Sequence, residues 1–207
     1  MIGTRMTKEK GPEYYASRYR SLKKFHLHYK NSRSYVLWTQ VITFVKQFAH
    51  PKILEIGCGT GQFAHYLYDE GFKDYHGIDF SPEAVEFAKK TVNQSFSVGD
   101  CRNSDVFNRD YDLVIALEVL EHIRDDHTVI ANIKEGTDII FSLPTFRDPA
   151  HVRRFKKARA IEKRYYHNID IRNIVRIDKR FVCCGKVAKE YRPRMWERLL
   201  RIRRILR

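Results

Sequence analysis

Cysteine is scarce and unpatterned in this chain. The four residues, Cys58, Cys101, Cys183 and Cys184, show no Cys-x-x-Cys spacing, which excludes a zinc knuckle and a disulfide framework and makes a reducing, cytoplasmic setting the expectation. No run of about 18 apolar residues occurs, so no membrane-crossing helix is expected. Met1 to Lys10 is polar and basic without a following apolar core of signal-peptide type; a soluble protein, or one peripheral at a membrane, is expected. Internal repeats and low-complexity tracts are missing. Acidic residues are in deficit, 25 Asp and Glu against 39 Lys and Arg, and the resulting +14 favours phosphate-rich partners or an anionic membrane surface. At 207 residues the chain suits one domain of ordinary size with a real core.

What is present is organised around Ile53-Leu54-Glu55-Ile56-Gly57-Cys58-Gly59-Thr60-Gly61, followed by Gln62-Phe63-Ala64. The branched apolar run reads as a buried parallel strand, and glycines at alternate positions then turn the chain into a helix. Without Cβ atoms, Gly57, Gly59 and Gly61 allow positive φ and a close approach of ligand to main chain, and the helix start offers unpaired N–H groups. About twenty residues on, Tyr75-His76-Gly77-Ile78-Asp79 reads as a second strand ending in an acid, where a βαβ unit sets a carboxylate against ribose hydroxyls. Asp79 could instead cap the next helix, but Ser81 before Pro82 suits that task better.

The pattern predicts strands at 52–57, 74–79, 96–99, 112–117 and 138–143, with helices at 61–70, 82–92 and 126–135 between them. That alternation implies a doubly wound α/β sheet with helices on both faces. Before it, residues 1–12 are expected to dangle, and 13–50 to form two N-terminal helices. The first of these, aromatic and basic to about His28, is open to two readings, a lid or an ordinary packing helix; the second spans Ser34 to Phe48. After it come a basic helix over 151–164 and two closing strands, 169–177 and 181–187. Residues 191–207 are expected to form a basic amphipathic helix with seven arginines against Glu197, which could lie on an anionic membrane, grip RNA phosphates, or dock on the core.

The Gly-x-Gly-x-Gly spacing, with Glu55 two residues ahead of it, resembles the first motif of class I S-adenosylmethionine-dependent methyltransferases, and the resemblance extends over about residues 35–190. It implies a Rossmann-like seven-stranded sheet, mostly parallel, ending in an antiparallel hairpin. It also implies S-adenosyl-L-methionine as cofactor: Gly57, Cys58, Gly59, Thr60 and Gly61 around its methionine end, Glu55 supporting the loop, Asp79 and Phe80 at the ribose, Asp100 and Cys101 at the adenine, and Glu118 on the pocket wall.

Glu118-Val119-Leu120-Glu121-His122 resembles the Glu-x-x-Glu-His signature of ubiquinone-biosynthesis O-methyltransferases, many small-molecule methyltransferases and small-RNA 3′-end 2′-O-methyltransferases. His122 is read as a base or acceptor-orienting group. A divalent metal on Glu118, Glu121, His122 and His151 is the less favoured alternative, because in many such enzymes the motif only lines the cofactor pocket. Ser142 to Phe155 looks like an acceptor-side segment, with His151 and Arg154 as candidates beside His122 for the chemistry. The expected activity is O-methylation of a small-molecule, sugar or lipid-linked acceptor. RNA methylation and a non-catalytic, cofactor-binding partner subunit stand as alternatives.

Overall fold

The apolar runs form strands and their spacers form helices. A computed structural model describes residues 8–188, and the Arg-rich segment 191–207 lies outside them. The parallel strands are β1 (Ile53–Ile56), β2 (Tyr75–Asp79), β3 (Ser95–Val98), β4 (Leu113–Ala116) and β5 (Asp138–Pro144). A closing hairpin of β6 (Ile169–Ile177) and β7 (Arg180–Val187) follows, and β7 pairs antiparallel with β5. The order β3-β2-β1-β4-β5-β7-β6 makes one seven-stranded sheet whose strand order reverses between β1 and β4. Open α/β sheets carry their ligand crevice at that reversal, beyond the carboxyl ends of the strands.

Alternate residues of the central strands serve two cores, which explains why their sequences are continuously apolar. Ile53, Leu113, Ile115, Ile140 and Val182 pack with α2 (Tyr35–Val45), α3 (Gln62–Asp69) and α4 (Pro82–Thr91). Leu54, Ile56, Val114, Ala116 and Phe141 pack on the other face with α5 (Asp126–Asn132) and α6 (Ala158–Tyr165). Helix α4 starts as expected, with Pro82 in its first turn and the Ser81 hydroxyl accepting from Ala84 N. Among the described residues no helix is long and apolar enough to cross a membrane.

Two local expectations differ from the structure. Helix α1 (Pro12–Ser21) opens on Pro12, which suits a first helical turn, but falls short of the His28 expected as its end. That helix stops at Ser21, because Leu22 is extended (φ −99°, ψ 107°); two short 3-10 turns, Lys23–His26 and Tyr29–Asn31, then carry the chain onward. The expected helix over 151–164 is present only as α6 from Ala158. Tertiary bonds hold the chain before it in a loop: Val152 N donates to Glu121 O (2.9 Å) and Phe155 N to Pro144 O (2.8 Å).

The segment after α1 is tied to the start of α3. Thr60 Oγ1 donates to Phe25 O (2.5 Å), and Gln62 Nε2 donates to Lys24 O (3.2 Å) and Leu27 O (2.6 Å). Helix α1 is further joined to α4 by Arg20 on Glu83 (2.6 Å). It therefore crosses the carboxyl end of the sheet.

Candidate cofactor and acceptor site

All three glycines of the loop after β1 adopt positive φ: 72° at Gly57, 54° at Gly59 and 78° at Gly61. Two of them are also required by close approach. A Cβ at Gly57 would meet Val119 Cγ2 at 2.4 Å, and one at Gly61 would meet the Ala88 backbone at 3.0 Å. At Gly59 such a Cβ would make ordinary van der Waals contact with the Tyr19 hydroxyl at 3.6 Å, so here the positive φ and not close approach calls for glycine.

Asp79 finishes β2 beside that loop, placed by the parallel β1–β2 register. Its carboxylate accepts from Gly59 N and Ser81 N, both at 2.9 Å, and is 3% exposed. Burial pushes its pKa up to about 6 against the lowering effect of the two amides. Glu55 is buried under the loop and accepts from the Tyr75 hydroxyl (2.5 Å); burial pushes it up to about 8, so it is protonated at neutral pH. Asp79, Phe80, Gly99, Asp100 and Cys101 border a small cavity of about 90 Å³. Asp100 is held from outside by Arg102, whose Nε reaches both carboxylate oxygens at 3.0 Å. Partial burial opposes ionisation of Asp100, but those bonds outweigh it and leave the carboxyl below its usual range. Burial raises the Cys58 thiol, and pushes that of Cys101 up to about 12, so both stay neutral.

A second, larger cleft of about 770 Å³ opens on the other side of the glycine loop, bordered by Gly57, Cys58, Gly59 and Thr60. The two cavities share Tyr15, Tyr19, Gly57, Glu118 and His122. Tyr15 packs on Phe80 and on His122, with ring centroids 5.4 and 5.7 Å apart, so α1 roofs the junction. The Tyr15 hydroxyl is buried there without a hydrogen-bond partner among the described residues.

Glu118 sits just past β4 with φ 58°, a left-handed conformation costly for a residue with a Cβ. Its surroundings hold it there. Glu118 N donates to Ser142 Oγ (2.8 Å), Ser142 Oγ donates to Glu118 Oε1 (3.1 Å), and Arg180 Nε donates to Glu118 Oε2 (2.8 Å). His122 Nδ1 lies 3.0 Å from Ala150 O; a carbonyl only accepts, so Nδ1 carries the proton and Nε2 keeps its lone pair. Burial lowers the pKa of His122, and the neighbouring His151 lowers it further, so the ring is neutral at pH 7. His151 borders the larger cleft, its ring centroid 4.9 Å from that of His122.

Glu121 borders neither cavity and is 0% exposed, with Oε1 4.0 Å from His122 Nε2. Neither of its carboxylate oxygens has a hydrogen-bond partner among the described residues, and burial together with Glu118 raises its pKa well above the ordinary value. Ligand atoms of Glu121, His122 and His151 lie within 4.8 Å of one another. Arg154, expected beside His151, borders neither cavity. Its neighbour Arg153 turns inward instead: it donates to Leu120 O, Ile123 O and Arg124 O, and pairs with Asp126 at 3.0 Å.

Arg180 and Ser142 were not among the residues singled out from sequence, yet both grip Glu118. The signal for Arg180 was its place at the start of β7, which the β5–β7 register sets opposite Pro144 at the carboxyl end of β5.

The sheet order, the terminal antiparallel pair and the three-glycine cradle define a class I S-adenosylmethionine-dependent methyltransferase. The chain belongs to the methyltransferase-domain family, whose model matches residues 26–179. It is 30% identical over 101 residues to the ubiquinone biosynthesis O-methyltransferase of Pectobacterium atrosepticum, an alignment covering 44% of this chain and 42% of that protein. The chain thus aligns with less than half the length of that relative. In structure it is similar to the N-methyltransferase NodS of Bradyrhizobium japonicum in complex with S-adenosyl-L-homocysteine (TM-score 0.65, 18% identity, 86% of this chain and 99% of that one). It is also similar to magnesium protoporphyrin IX methyltransferase of Synechocystis with bound S-adenosylmethionine (TM-score 0.61, 16% identity, 86% and 97%). At these identities the structural likeness concerns the fold.

Proposed function

We propose that this chain transfers a methyl group from S-adenosylmethionine to a hydroxyl of a small-molecule, sugar or lipid-linked acceptor. The observation that carries this reading is the junction of two cavities at Glu118 and His122, one on the Asp79–Asp100 side and a larger one beyond the glycine loop. The residues fit the cofactor: a positive-φ glycine loop bordering the larger cleft, a carboxylate at Asp79 with lone pairs left for ribose hydroxyls, and a slot beside Phe80 and Asp100 for adenine. When bound, the cofactor supplies an electrophilic methyl on a good leaving group. The chain's own part is then to align an acceptor in the larger cleft and to remove its proton. His122 Nε2 suits that proton, His151 borders the acceptor side, and α1 with Tyr15 and Tyr19 acts as the lid that excludes water.

Ionised, Asp79 accepts through both carboxylate oxygens, whereas protonation turns one of them into a donor; its pKa, pushed up to about 6 by burial, sets the pH dependence of binding. The affinity for S-adenosyl-L-homocysteine is expected to be level from pH 7 upward and to weaken about tenfold per pH unit below 6, as the carboxylate takes up a proton. Asp79→Ala should weaken binding by at least about tenfold and remove that dependence. Calorimetric titrations across pH check both; an unchanged affinity in the variant would sink the ribose assignment.

A second reading, metal-assisted methylation of an RNA ribose, is favoured by Glu121. A divalent cation among Glu121, His122 and His151 would give its two unpartnered oxygens a charge to face and would draw them into the ionised form. One assay separates the readings: transfer of labelled methyl into a cell extract divided into RNA, lipid and glycan, and small-molecule pools, with and without chelator. Label outside the RNA pool that survives chelator is expected. Label in RNA that chelator abolishes would establish the metal reading, and no label in any pool would leave a cofactor-binding partner subunit.

A further inference from the structure

The larger cleft is ringed by positive charge, most of it without a carboxylate in ion-pair contact among the described residues. Arg18 of α1, Lys23 and Lys24 of the first 3-10 turn, Arg33 ahead of α2 and Arg180 of β7 all border it. Four of them come from the basic stretch 18–33, and the fold brings Arg180 to join them from β7. Arg180 is engaged by Glu118. Among the described residues Arg18, Lys23, Lys24 and Arg33 have no carboxylate within ion-pair distance; the one described polar partner of Arg18 is the Tyr14 hydroxyl, at a long 3.4 Å.

We infer that the acceptor is an anion, bearing a phosphate or carboxylate group that Arg18, Lys24 and Arg33 hold at the mouth of the larger cleft while its methylated end lies toward His122. This rests on the methyltransferase reading and names the chemical class of its acceptor. The crowding is unfavourable without a ligand. Lys24 is held below the usual lysine range by partial burial and by the repulsion of Arg18, Arg33 and Arg180, with Asp148 as the opposing charge. Phosphate or carboxylate oxygens would relieve that repulsion and take the paired donors of a guanidinium. The charges are also preorganised, since Lys24 O and Leu27 O are bound by Gln62 and Phe25 O by Thr60, which clamps the basic turn against the start of α3. Partial desolvation inside a concave site strengthens such contacts relative to the same charges on an open surface.

The test uses the full chain saturated with S-adenosyl-L-homocysteine and titrated calorimetrically with pyrophosphate in one arm and succinate in the other. Saturable binding of at least one anion is expected, and the tighter arm tells phosphate from carboxylate. Lys24→Gln with Arg33→Gln should weaken that binding by roughly tenfold or more, while the affinity for S-adenosyl-L-homocysteine stays within about twofold. The inference is overturned if neither anion saturates, or if the double variant binds as tightly as the parent, which would put the anion elsewhere on this basic chain. If S-adenosyl-L-homocysteine itself fails to bind, the methyltransferase reading falls, and the same titrations on the ligand-free chain still decide whether the basic ring holds anions.

Discussion

Replacing His122 with alanine is expected to lower kcat of methyl transfer by about 10²–10⁴-fold, the usual contribution of a positioned general base. The ring is prepared for that task by its surroundings. Ala150 O fixes the proton on Nδ1, burial keeps the imidazole neutral, and the residue borders both cavities. Because the folded pKa lies below the ordinary imidazole value, the rate should be level at neutral pH and fall only as acidification drives a proton onto Nε2. The affinity for S-adenosyl-L-homocysteine should move by no more than about fivefold, since the ring is a wall of the cofactor cavity and not its hydrogen-bonding partner. Single-turnover rates of the variant on the acceptor found by labelling, set beside calorimetric binding, check this. A variant that keeps full kcat would remove His122 as base and favour an acceptor, such as an unprotonated amine, that needs none.

Asp126→Ala is expected to cost about 3–5 kcal/mol of stability, because it strips the shared counter-charge from two arginines. The Asp126 carboxylate is 0% exposed and accepts from Arg164 Nε (2.9 Å) and the Tyr165 hydroxyl (2.6 Å), while Arg153 sits 3.0 Å away. Arg153 in turn donates to the carbonyls of Leu120 and Ile123, so the same network shapes the turn that carries Glu121 and His122. For a chain of this size the loss corresponds to a fall in Tm on the order of 10 °C. Asp126→Asn, which keeps an acceptor for Tyr165 and one arginine, should recover part of it. Thermal denaturation of the two variants settles the matter, and an alanine variant that melts with the parent would show that the arginines find other partners.

Much of the skeleton was readable without coordinates. The strand at Ile53–Ile56, the glycines after it and the acid ending the next strand depend on neighbours a few residues away: apolar runs, positive φ, a proline after a serine. The placement of Asp79 beside the glycine loop followed for the same reason, because a parallel βαβ unit leaves little freedom in where Asp79 can lie relative to Gly59. Local reasoning failed where distant partners intervened. Residues 151–157 have helical composition, yet backbone bonds to Glu121 and Pro144 and the inward turn of Arg153 hold them as a loop, which carried Arg154 away from the cleft. The aromatic stretch of α1 was open between lid and packing helix, and its bond to α4, with the following turn tied to the start of α3, laid Tyr15 and Tyr19 over the junction.

The sequence by itself determined the order of strands and helices and the conformation of the glycine loop, because both are set by side-chain periodicity and backbone freedom over a few residues. Tertiary structure alone decided which distant charges meet: Arg180 on Glu118 across 62 residues of chain, Arg153 and Arg164 on Asp126, and Arg180 beside the basic stretch 18–33 around the larger cleft. Those meetings depend on strand register and on how loops cross the end of the sheet, and neither leaves a mark in the local pattern.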